Sequence, residues 1–104
     1  MAAITGKIRC IYPKQNINEK LMKQEFVVDY NENEGRSKDQ PIKFEIADRG
    51  KNGIFDKINM LDGFNIGDEI EVNFNINGRE WNSPEGLKYF TALDCWRVKL
   101  VTNK

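Results

Sequence analysis

The sequence predicts an all-β domain, a small β-barrel of five strands with one short helix between the third and fourth. Three observations predict it. Apolar and polar residues alternate with period two in several separate stretches, the mark of strands with one face in a core and one in water. Apolar residues recur at helical spacing in only one stretch, near the middle. A chain of 104 residues is long enough to bury one core and too short for two, so residues 1–104 are read as one domain.

The first strand, Ala3–Tyr12, places Ile4, Ile8 and Cys10 on one parity and Thr5, Lys7 and Arg9 on the other, with Gly6 marking a bend or bulge. Pro13 cannot donate to a ladder, and residues 13–20, PKQNINEK, are expected to leave the sheet as a loop. Leu21–Tyr30 is the second strand, with Phe26 and Val28 inward and Lys23, Glu25 and Val27 outward. Residues 31–40, NENEGRSKDQ, are polar throughout and predict a mobile hairpin connection of unusual length. In the third strand, Pro41–Ala47, Ile42, Phe44 and Ile46 point inward while Lys43 and Glu45 point outward. A turn over Asp48–Asn52 follows. Ile54, Ile58 and Leu61 then recur at i, i+4 and i+7 between Asn52 as a cap and Gly63 as a stop, which predicts a helix over about Gly53–Asp62.

The cleanest alternation is Asp68–Trp81, where Ile70, Val72, Phe74 and Ile76 face Glu69, Glu71, Asn73, Asn75 and Asn77 across the pleat. Asn77-Gly78 tolerates positive φ and is read as the turn ending this strand, so that Arg79, Glu80 and Trp81 project just beyond it. Beyond a loop over residues 82–86, the last strand runs from about Leu87 to Val101. Leu93 and Cys95 match one of its faces and Trp96, Val98 and Leu100 the other, so a bulge is expected near Cys95. Trp96 is assigned to the core with Phe26, Phe44 and Phe74. The order β-β-β-α-β-β is that of the five-stranded OB barrel, whose helix plugs one end; a five-stranded sandwich or an SH3-like barrel is the structural competitor. OB barrels bind nucleic acids, sugars and proteins, so fold alone leaves function open.

Composition narrows the function. Lys plus Arg and Asp plus Glu both number 16, so any attraction to a polyanion must come from a local patch. No apolar run approaches the ~20 residues of a membrane span, and the start MAAITGKIRC has no apolar leader, which predicts a cytoplasmic protein that does not associate with membranes. Cys10 and Cys95, far apart and in apolar-periodic segments, read as buried free thiols. The absence of histidine removes the common nucleophile pairs and the commonest zinc ligand, and Glu69/Glu71 and Glu32/Glu34 have no partner constellation for acid–base roles. No catalytic residue, metal or cofactor is expected.

Lys23-Gln24-Glu25-Phe26-Val27, Pro41-Ile42-Lys43-Phe44, Ile66-Gly67-Asp68-Glu69-Ile70-Glu71-Val72, Phe74 through Trp81 (FNINGREW), Tyr89-Phe90 and Cys95-Trp96-Arg97 together resemble a family of short bacterial and phage domains of unassigned function, related to OB-type single-stranded DNA-binding proteins. The resemblance runs from Ile4 to Lys99. It implies a non-catalytic single-stranded DNA-binding protein acting in replication or recombination, with RNA as another ligand to test. One departure stands out: such proteins usually end in an acidic tail, whereas this chain ends VKLVTNK.

A single-strand binder needs a positive groove and aromatic faces for stacking. Lys7, Arg9, Lys23 and Lys43 on outward parity and Arg79, Trp81, Lys88 and Tyr89 near one loop are the candidate nucleic-acid-binding residues. The bland alternatives are a solvated strand face for the lysines, with Glu25, Glu45 and Glu71 interleaved, and a turn aromatic packed over the barrel end for Trp81. The competing function is a protein-interaction OB module or oligomeric scaffold, an open strand edge making a homo-oligomer accessible.

Overall fold

In the computed structural model, residues 2–31 and 39–101 are described, and most of the long connection expected over 31–40 lies outside them. Six strands form one sheet: β1 (Ala2–Ile11), β2 (Gln15–Asn18), β3 (Leu21–Tyr30), β4 (Gln40–Asp48), β5 (Glu69–Ser83) and β6 (Gly86–Leu100). The pairings run in a closed circuit, β1 to β3, β4, β6, β5 and back to β1. All are antiparallel except β4–β6, which meet in parallel at Glu45 and Asp94. The all-β class and strand order expected from the sequence are present.

Closure depends on β1, which pairs with β5 over Ala2–Lys7 and with β3 over Lys7–Ile11. Where it changes partner, a Cβ on Gly6 would sit 2.3 Å from the Asp29 carbonyl oxygen and 2.6 Å from Val28 Cγ1. Gly6 therefore answers a close backbone approach, and the irregularity expected there lies further on, between Ile8 and Cys10. β2 corrects the loop expected over residues 13–20: its four residues, three polar and Ile17, pair with the start of β3 and are all exposed, so no periodic signal announced them.

Inward parity was read correctly for most of the core. Phe26, Phe44, Val28, Ile46, Ile70, Val72 and Cys95 are fully buried, with Ile8 and Phe74 nearly so. Phe26 and Phe44 stack at 5.5 Å between centroids, and Phe74 meets Phe44 edge-on at 5.0 Å. Such pairs contribute ~0.5–1.5 kcal/mol each beyond burial. Cys10 is only half-buried, and both thiols are free.

The expected helix over Gly53–Asp62 is replaced by one 3-10 turn, Lys57–Asn59. Asn52 (φ 55°) and Gly53 (φ 77°) adopt left-handed backbone, and Lys51 and Ile54 exchange backbone hydrogen bonds of 2.8 and 3.0 Å. That tight turn consumes the first residues and leaves Ile54 62% exposed, while Gly63 (φ 93°) ends the segment. Ile58 and Leu61 still reach the core. The turn is held by the buried Asp48, whose carboxylate accepts from the Gly50 N–H at 2.8 Å and the Ile58 N–H at 2.9 Å.

The second correction concerns Asn77-Gly78, which is not a turn. Gly78 lies mid-strand opposite Thr91 without positive φ, and β5 continues to Ser83; the chain reverses at Ser83–Gly86, where Gly86 takes φ 122°. Core parity past Phe74 falls on Ile76, Gly78, Glu80 and Asn82, which offer little to bury. Among described residues, none from Asn75 to Asp94 is buried, so the far half of the β5/β6 hairpin stands out as an arm. The Cα radius of gyration, 15.4 Å, exceeds the ~13 Å of a compact chain of this size accordingly. The bulge expected near Cys95 is present: Phe74 pairs with Cys95 and Asn73 with Arg97, skipping Trp96. As the skipped residue, Trp96 is 36% exposed rather than a member of the core.

Candidate nucleic-acid interface

The hairpin register composes the arm's faces. Arg79 lies opposite Phe90 and Trp81 opposite Lys88, and directly opposed residues, with every second pair, share a face. Arg79, Phe90, Trp81 and Lys88 thus form one surface. The Trp81 and Phe90 rings stand 6.3 Å apart at 43°, and Lys88 Nζ lies 5.8 Å from the indole centroid and 3.4 Å from Glu85. Trp81 is 52% and Phe90 51% exposed, which removes the reading of Trp81 as an aromatic packed over the barrel end.

This surface descends into a groove of about 500 Å³ between the base of the arm and the outer face of β3 and β4, lined by Lys23, Arg49, Arg79, Phe90, Glu45 and Asp94 among others. A neighbouring groove of about 390 Å³ shares Glu45, Thr91 and Ala92 and adds Lys43. Of the eight residues expected from the sequence, Lys23, Lys43, Arg79, Trp81 and Lys88 are brought to one side. The others are not. Tyr89 pairs with Glu80 on the opposite face of the arm, 69% exposed. Lys7 lines a separate cleft with Asp29, Asp39 and Glu69, and Arg9 is paired with Asp29 at 2.7 Å. Arg49 and Phe90 were missed. Phe90 faces Arg79 only once the turn is placed at Ser83–Gly86, and Arg49 is carried to the groove by the loop that Asp48 holds.

Electrostatically the outer face is striped. Glu25 and Glu45 are cross-strand partners, and Glu45 is partnered with Asp94 across the parallel contact, so three carboxylates form one row. Lys43 Nζ lies 3.3 Å from Glu25 and Lys23 Nζ 3.7 Å from Glu45. The Lys43 side chain is 63% exposed, and an exposed pair of this kind contributes ~0–1 kcal/mol, so Lys43 can exchange its carboxylate for a phosphate; Lys23 sits against the less exposed Glu45. Arg49 and Arg79 form no ion pair among the described residues. No described group of three or more His, Cys, Asp or Glu is arranged to hold a metal, and no described helix is long and apolar enough to cross a membrane.

Residues 3–99 match the family model described as a domain of unknown function (DUF3127). No curated protein matches the chain. Two crystal structures of the mitochondrial single-stranded DNA-binding protein Rim1 from S. cerevisiae, one of them selenomethionine-labelled, are similar to it with TM-scores of 0.65 and 0.64. Identity is 14% in both, over 99% of this chain and 95% of theirs, a likeness that speaks to fold. The chain belongs to the family described as a domain of unknown function (DUF3127), built on the OB fold of single-stranded DNA-binding proteins.

Proposed function

We propose that this domain is a non-catalytic single-stranded DNA-binding protein of replication or recombination, acting in the cytoplasm. The strand lies in the groove under the arm. The observation that carries this reading is the continuity of the arm surface, Trp81, Phe90 and Arg79, with the cationic outer face at Lys23, Arg49 and Lys43. Exposed aromatic faces beside cations are the two parts a sequence-tolerant single-strand site needs: stacking is worth ~1–3 kcal/mol per base, and each phosphate contact releases counterions. The structural neighbours bear single-stranded DNA-binding names, which supports the same reading. Fluorescence anisotropy with a labelled mixed-sequence oligonucleotide, DNA or RNA, longer than the ~4–16 nucleotides an OB fold covers, tests it at low salt. Saturable binding that weakens with salt is expected; no binding at micromolar protein refutes it.

A second reading is favoured by the arm's other face, where Ile76, Leu87 and Tyr89 are exposed on core parity, and by the free edge of β2. Those surfaces fit a protein-interaction module or a homo-oligomer. Light scattering together with the anisotropy titration separates the two readings, because only the first predicts oligonucleotide affinity that falls steeply with salt.

A further inference from the structure

Two carboxylates line the groove proposed above to hold a polyanion. Glu45 and Asp94 are direct partners across the β4–β6 contact, both line the larger groove, and the Glu45 side chain is only 21% exposed. The Asn77 side-chain amide donates to Asp94 Oδ2, which anchors that carboxylate in the groove wall. A phosphate seated over this pair would be repelled. The cations lie two residues to either side along the strands: Lys43 before Glu45 on β4, and on the other side Lys23, opposite Ala47. Arg49 lies beyond Ala47 on that second side, and Arg79 lines the same groove from the arm.

We propose that the phosphates follow these flanking cations while base edges lie over Glu45 and Asp94, giving the groove a preference for bases that carry an amino group. This inference rests on the nucleic-acid reading above. A carboxylate only accepts hydrogen bonds. Cytosine offers the N4 amino group and adenine the N6 amino group, and Asp or Glu accepting from cytosine N4 is an established pairing. Thymine sets its lone N3–H between two carbonyl oxygens, which face a carboxylate unfavourably. The stacking residues Trp81 and Phe90 do not distinguish the pyrimidines by hydrogen bonding, so the discrimination falls to the carboxylates.

The test is competition between oligo-dC and oligo-dT of equal length at neutral pH, for the unmodified protein, Glu45→Gln, Asp94→Asn and the double variant. Oligo-dC should bind about tenfold tighter, the scale of one good base contact. The preference should shrink in each single variant and vanish in the double, even though both oligonucleotides bind more tightly once negative charge is removed. Melting temperatures confirm that the variants fold, and the single variants decide the matter if the double does not. Equal affinity for the two oligonucleotides, or a preference that survives the substitutions, overturns the inference while leaving single-strand binding intact. Binding to neither overturns both.

Discussion

Arg79 and Trp81 stand two residues apart on one face of the arm, yet removing them should disturb binding in different ways. Trp81→Ala takes away a stacking face and should weaken oligonucleotide binding by ~1–3 kcal/mol with the salt dependence unchanged, because a stacked base releases no counterion. Its melting temperature should stay close to that of the parent, since the indole is half exposed and its ring and cation neighbours among the described residues are the arm's own Phe90 and Lys88. Arg79→Ala should reduce the slope of log K against log salt by ~0.7, measured by anisotropy across a salt series. Lys43→Ala should do less, its charge being shared with Glu25 at 3.3 Å. Asp48→Ala belongs to stability: it orphans the Gly50 and Ile58 amides and should cost ~1–3 kcal/mol in urea unfolding. Burial pushes the Cys95 thiol up to about 11, so the folded chain holds that proton more tightly than the unfolded one. Its contribution to stability is therefore complete below the thiol's ordinary 9.0 and fades as pH rises through about 11. At mild pH a disulfide reagent should label Cys10 in the native protein and reach Cys95 only after unfolding. Arg79 and Trp81 were singled out in the sequence as projecting just beyond a turn at Asn77-Gly78; they reach the exposed face instead as alternate residues of a strand that continues to Ser83. The ion pairs of Lys23, Lys43 and Arg9 were not, since they depend on cross-strand neighbours far away in the chain.

The arm is the element whose removal separates function from stability. Replacing residues 79–90 by a two-residue turn removes no buried side chain, so the barrel should keep its circular dichroism and melting temperature while losing at least about tenfold in oligonucleotide affinity, ~1.4 kcal/mol. Loss of the fold on excision would make the arm structural. Strand parity was readable wherever one face is buried, as at Phe26/Val28 and Ile70/Val72/Phe74, because burial forces the period. The bulge at Trp96 was readable from the same logic, as a break in that period. Asn77-Gly78 misled because a local turn signal yields when the pairing on both sides continues through it, with Gly78 opposite Thr91. The helix pattern at Ile54, Ile58 and Leu61 misled because the left-handed turn at Asn52-Gly53 removes Ile54 from it. Phe90 could not be found without the true turn, so the ring beside Trp81 stayed hidden.

For the molecule as a whole, zero net charge gives no overall attraction to a polyanion, so under the proposed function affinity should depend on a few groove contacts and fall with salt. We expect thermal unfolding in one cooperative transition, as for a single core, with coincident melts by far-ultraviolet and tryptophan signals. The most direct test of the groove is a nitrogen–proton correlation spectrum recorded while a mixed-sequence single strand is added. The account predicts shifts at the Trp81 indole and at the amides of Lys23, Arg49, Arg79 and Phe90, with Lys7 and Glu69 in their separate cleft unmoved. Shifts centred on Lys7 and Arg9, or no shift at saturating oligonucleotide, would contradict it.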